Sequence, residues 1–79
     1  MSVPAVSASS AGEIEIQLNG EARMISAGST IASLLESLGR HPRTVAVERN
    51  GVIVRRPHYA ETGLEADDRL EIVHFVQGG

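Results

Sequence analysis

With 79 residues, no cysteine and a formal net charge of −3 at pH 7, the chain has length for one small domain whose core must hold without a disulfide or thiolate-bound metal. All seven basic residues are arginine, and Phe75 and Tyr59 are the only aromatics; this excludes nucleic acid as a partner class, for want of a basic surplus or a stacking platform. No apolar run approaches the ~20 residues of a membrane-spanning helix, so the expectation is no membrane partner and a cytoplasmic location.

Met1 to Gly12 is rich in Ser and Ala, contains Pro4, and lacks the charged and apolar regions of a signal peptide, so it reads as a disordered tail. Glu13-Ile14-Glu15-Ile16-Gln17-Leu18 alternates polar and apolar at period two, the pattern of a half-buried strand. Asn19-Gly20 is the favoured pair for a two-residue hairpin turn, because both positions need positive φ. Glu21 to Ser26 returns as a second strand, with Ala22 and Met24 or Ile25 available to the core. Thr30 is a good N-cap. Ile31, Leu34, Leu35 and Leu38 at i, i+3, i+4 and i+7 place one apolar stripe on a helix. Gly39 suits a left-handed C′ position, and Pro42 prevents continuation.

Thr44 to Arg49 predicts a third strand, Asn50-Gly51 a second tight turn, and Val52-Ile53-Val54 its return strand. Arg55-Arg56-Pro57 stops that strand, and Pro57 to Gly63 reads as a turn or short 3₁₀ piece. Leu64 is an anchor, Asp67-Asp68 a turn, and Arg69 to Val76 the last strand. The order predicts an α+β fold, a mixed five-stranded sheet wrapped across one helix. Its expected bounds are 13–76, flanked by tails at 1–12 and 77–79. Leu70 and Ile72 would point at the helix, and Glu71, Val73 and Phe75 to the uncovered face. Apolar side chains there read as a docking patch.

The chain carries no G-x-S-x-G elbow and no phosphate-binding loop. His41, His58 and His74 fall in a loop, a turn and a strand without ligand spacing, so no metal site is expected. Asp67-Asp68 reads as a turn before a strand rather than a catalytic pair. Arg56 reads as a solvated corner, while Arg55 stays open as a contact for an acidic partner. What remains is the Gly79 carboxylate, preceded by Gly78. Two residues without Cβ can thread a passage too narrow for others and leave the last carbonyl unshielded. On the dipeptide alone, a frayed end or a cloning remnant explains it equally well. Joining such a carboxylate to AMP, with pyrophosphate leaving, would activate it for attack by a sulfur donor. Without cysteine, any sulfur on this chain would sit at that terminus. Phe75 to Gly79 would extend roughly 17 Å at about 3.4 Å per residue.

Several blocks together resemble the ThiS family of sulfur carriers, from about Ile14 to Gly79. They are Leu18-Asn19-Gly20-Glu21, Thr30-Ile31 with Leu34-Leu35, Val45-Ala46-Val47-Glu48-Arg49-Asn50-Gly51 with Ile53-Val54, then Leu64, Asp68, Glu71-Ile72-Val73 and Gly78-Gly79. The resemblance implies a ubiquitin-like β-grasp fold and a protein co-substrate rather than an enzyme. It implies that the Gly79 carboxylate is adenylated by an E1-like adenylating enzyme (ThiF type) and converted to a thiocarboxylate. The sulfur would come from a donor such as a cysteine desulfurase and pass to a thiazole synthase (ThiG type) in thiamine biosynthesis. ATP and Mg²⁺ would belong to the adenylating partner. The sequence departs from the family at Arg55-Arg56-Pro57 and Tyr59, where Pro-Arg and a later aromatic are common, so a partner contact there would differ. It also departs at Asp67-Asp68, where Gly-Asp is usual, and at Gln77, where a small residue is frequent. Rival readings are the small subunit of molybdopterin synthase, a ubiquitin-like protein modifier, and a plain interaction domain.

Overall fold

The structure is a computed structural model and describes residues 12–75. Strands β1 (Glu13–Leu18) and β2 (Glu21–Ser26) form the first hairpin, followed by helix α1 (Ile31–Ser37). A 3₁₀ turn (Pro42–Thr44) leads into β3 (Val45–Arg49) and β4 (Val52–Val54); a second 3₁₀ turn (Arg56–His58) precedes β5 (Arg69–His74). The strands lie in the order β2-β1-β5-β3-β4, with β5 parallel to β1 and antiparallel to β3. One helix grasped by a mixed five-stranded sheet is the architecture expected.

Both Asn-Gly pairs make the predicted turns, with φ of 51° and 85° at Asn19 and Gly20 and 52° and 85° at Asn50 and Gly51. The mirror-image backbone twist of such turns matches the twist of the strands they join. Helix α1 has only seven residues, below the ~12–15 that an isolated helix needs, so packing and caps must hold it. Thr30 Oγ1 accepts from the Ser33 amide at 3.1 Å, and Ser33 Oγ accepts from the Thr30 amide at 2.9 Å. The Ile31 and Ala32 amides donate to the carbonyls of Thr62 and Tyr59, so the connecting segment supplies partners that the helix start lacks. At the other end the Arg40 amide reaches Leu35 O and the Gly39 amide reaches Glu36 O, with Gly39 at φ 71°. This is the double closure that a left-handed C′ glycine permits.

The core consists of Ile16, Ile31, Leu34, Leu35, Val45, Val47, Tyr59, Leu64 and Leu70, with Leu38, Ile14, Ile25 and Ile72 partly buried against it. Four expectations are corrected. On β2 only Ile25 faces the core; Ala22 and Met24 are exposed, since Ile25 pairs with inward Ile14 and Met24 with outward Glu15. Thr44 ends the 3₁₀ turn instead of starting β3, because its hydroxyl donates to His41 O. Tyr59, read as part of a partner-contact region, is buried at 4% exposure, where burial pushes its phenol above the ordinary range. Strand β5 ends at His74, although the Phe75 amide still donates to Thr44 O. The expected tails at 1–12 and 77–79, apart from Gly12, lie outside the described residues, as does Val76.

Strand β5 is clamped from both sides by the two turn asparagines. From the β1 side, Asn19 Oδ1 accepts from the Ile72 amide at 2.7 Å and Asn19 Nδ2 donates to Ile72 O at 3.2 Å. The side chain thus continues the β1–β5 ladder where the backbone of β1 turns away. From the β3 side, Asn50 Oδ1 accepts from the Arg69 amide at 2.8 Å, and the Asn50 amide donates to Arg69 O. Asn50 Nδ2 also donates to Asp68, whose carboxylate accepts from Arg49 Nε at 2.8 Å and the Glu65 amide at 2.9 Å. Burial alone would push the Asp68 carboxyl up. Hydrogen bonds from Arg49, Glu65 and Asn50, with the Arg49 charge, outweigh it and hold the group below the ordinary range.

A carboxyl with a depressed folded pKa stabilises the fold fully above its unfolded value of about 3.9, and that contribution disappears as pH falls through the lower folded value. Asp68→Asn should therefore lose about 1–3 kcal/mol in urea denaturation near neutral pH, as donors built for a carboxylate lose their acceptor. The gap to the unsubstituted chain should shrink below about pH 4; a constant gap across that range would refute the assignment. Asn19→Gly keeps a residue suited to positive φ but removes the clamp. It should cost about 2 kcal/mol and speed amide hydrogen exchange at Ile72, whereas unchanged protection there would disprove the clamp.

Candidate functional site

Among the described residues, no three His, Asp or Glu side chains are grouped to hold a metal ion. His41 Nδ1 accepts from the Arg43 amide and caps a 3₁₀ turn; His58 Nδ1 sits 2.7 Å from Glu61 Oε2 on the surface; His74 is exposed on β5. Arg55 and Arg56 are both exposed. Asp68 is occupied by its clamp. The side chains of His41 and Asp68 serve the fold, and the notable surface is an apolar one.

Strand alternation builds that surface. Leu70 and Ile72 turn toward α1, so Glu71 and Val73 turn outward, and Phe75 follows beyond the strand end. Val73 is 59% and Phe75 46% exposed, as the sequence predicts. The register adds neighbours. Ala46 lies opposite Val73, Glu48 opposite both Glu71 and Ile53, and Ile53 is 66% exposed. Ala46, Glu48, Ile53, Glu71 and Val73 line a shallow hollow of ≈ 340 Å³. Exposed Met24 belongs to the far edge of the same face, beyond the Glu13 and Glu15 side chains of β1. Sequence reasoning identified Val73 and Phe75 but not Ala46, Ile53, Glu48 or the pairing of Glu48 with Glu71. The alternation in Thr44–Arg49 signals which residues of β3 face out, but which strand lies beside it is decided by contacts over twenty residues away.

The face adjoins the end of β5, and four residues follow Phe75. Gly78 and Gly79, the predicted access and sulfur-carrying residues, lie outside the described residues. The described body thus has an exposed apolar face beside strand β5. No helix among these residues is long and apolar enough to cross a membrane.

Comparison with known proteins agrees with this architecture. The sequence model of the ThiS family matches residues 16–79. A thiazole synthase of Magnetococcus marinus is 47% identical over 66 residues; the match covers 84% of this chain and 20% of that protein, so the chain spans about a fifth of its relative's length. The sulfur carrier protein ThiS of Bacillus subtilis is 42% identical over 65 residues, covering 81% of this chain and 98% of the relative. The crystal structure of the thiamine biosynthesis protein ThiS from Geobacter metallireducens superposes with a TM-score of 0.73 at 25% identity, covering 84% of this chain and 100% of that one. The sheet order, the capped helix and a match that runs to Gly79 together show that the chain belongs to the ThiS family, the ubiquitin-like β-grasp sulfur carriers of thiamine biosynthesis.

Proposed function

We propose that this chain carries sulfur as a thiocarboxylate on Gly79 and delivers it for thiazole formation. The observation that carries the reading is the family match extending to the terminal Gly78-Gly79 of a chain with no cysteine. A carboxylate is a poor acyl donor because its oxygen is a poor leaving group. An E1-like adenylating enzyme, using its own ATP and Mg²⁺, would join the Gly79 carboxylate to AMP and release pyrophosphate. The outer sulfur of a persulfide on a donor such as a cysteine desulfurase would then attack the carbonyl, and AMP would depart with the former carboxylate oxygen. A thiol reductant would cleave the resulting acyl disulfide to leave the thiocarboxylate. Gly78 gives the carbonyl access to a narrow active site. The body over 13–76 docks outside that site, and residues 77–79 reach in.

The acceptor in this proposal is a thiazole synthase, supported by the curated thiazole synthase of which this chain matches a fifth. Val73 and Phe75 form the docking patch for these partners. Their exposure supports this, since a soluble domain gains nothing in its free state from apolar side chains clustered on an open sheet face.

Incubation with the cognate adenylating enzyme, ATP and a sulfur donor should raise the intact mass by the difference between sulfur and oxygen. Deleting Gly79 should abolish the gain, and an active enzyme that leaves the mass unchanged would defeat the proposal. Val73→Asp and Phe75→Asp should leave the unfolding midpoint within a few degrees of the original, as surface changes usually do. Each should weaken affinity for the adenylating enzyme about tenfold or more, a typical loss for a central apolar contact; normal affinity in both variants would rule out the patch.

A further inference from the structure

Glu48 and Glu71 stand directly opposite each other on β3 and β5, on the uncovered face of the sheet. Like charges placed opposite in a sheet repel and destabilise it. Neither carboxylate is in an ion pair among the described residues, where the recorded bridges are Arg49 with Asp68 and His58 with Glu61. Arg69 lies on the same face two residues before Glu71 and lines an adjoining hollow with Glu48, Asn50, Gly51 and Glu71, yet it pairs with neither acid. The two carboxylates also border the hollow whose remaining walls include Ala46, Ile53 and Val73. The hollow is therefore apolar along one side and doubly acidic along the other.

We infer that this hollow takes an arginine side chain from the docking partner, its aliphatic stem against Ala46, Ile53 and Val73 and its guanidinium between Glu48 and Glu71. An arginine matches both halves, since its stem covers apolar surface while its planar fork offers donors to two carboxylates at once. A lysine would supply one point charge and no fork. The occupant is assigned to the adenylating enzyme because the hollow is continuous with Val73, the residue of the docking patch nearest the pair. The inference rests on the docking reading above and adds a charge-selective element to it. The free carrier tolerates a repulsive pair that a cation relieves on binding, so the two acids act in recognition at the expense of the free fold.

Calorimetric titration of the full chain against the cognate adenylating enzyme, at low and at moderate salt, tests this. Glu48→Gln and Glu71→Gln should each weaken binding roughly 5–20-fold at low salt, and the double variant should lose much of the salt dependence. The unfolding midpoint of the free double variant should hold or rise by a few degrees, since the repulsion is gone. A fall in that midpoint would show that the pair is structural and overturn the inference. Phe75→Asp, outside the hollow, separates the two readings. If it weakens binding while the double Gln variant binds normally with an unchanged salt dependence, the arginine clamp fails and the docking patch stands. If Val73→Asp, Phe75→Asp and the double Gln variant all bind normally, both readings fail together.

Discussion

Strand β5 is last in the chain and third of five in the sheet, and the rest of the structure is arranged around that placement. A strand entering between two others must satisfy its backbone on both sides, because a buried strand with unpaired amides is costly. Its β3 side is a regular antiparallel ladder. Its β1 side is parallel and short, with Gln17 opposite Arg69 and Leu18 opposite Leu70. The side chain of Asn19 extends that short edge to Ile72, while Asn50 and Asp68 secure the strand's entry. The result is a firmly held strand leading directly toward the C terminus.

The same strand has a core-facing side and an exposed one. Its inward residues, buried Leu70 and partly buried Ile72, pack into the core with the helix stripe, and full burial of an aliphatic side chain such as Leu70 contributes about 2 kcal/mol to the fold. Its outward residues Glu71 and Val73 are exposed, and Glu71 stands opposite Glu48. Alternation by one residue thus separates buried from exposed side chains along a single strand.

Much of the fold is legible in local sequence. The Asn-Gly pairs, the Thr30 cap, the Ile31-Leu34-Leu35-Leu38 stripe and Gly39 each report the conformation of their own few residues, and the structure follows them. The roles those residues play over long distances were not legible. Asn19 reads as a turn residue, yet its amide bonds a backbone 53 positions away. Asp68 reads as part of a turn, yet besides the nearby Glu65 amide it gathers the Arg49 guanidinium and the Asn50 side-chain amide from the end of β3 and the turn after it. Tyr59 follows Pro57 in a polar stretch with no periodicity, and only the packing of that segment against the start of α1 turns its ring into the core. The outward position of Val73 followed from alternation, but Ala46 and Ile53 beside it depend on which strands become neighbours.

The sequence by itself therefore determined the element types, the inward and outward faces of β5, and the terminal Gly78-Gly79, because backbone preference and side-chain alternation are local properties. Tertiary structure alone decided that β5 lies between β1 and β3, that two turn asparagines hold it there, and that Glu48 meets Glu71 beside an apolar hollow. Those outcomes depend on register between segments far apart in the chain. No local propensity encodes such a register; the shared burial of Ile16, Leu35, Val47 and Leu70 in one core selects it.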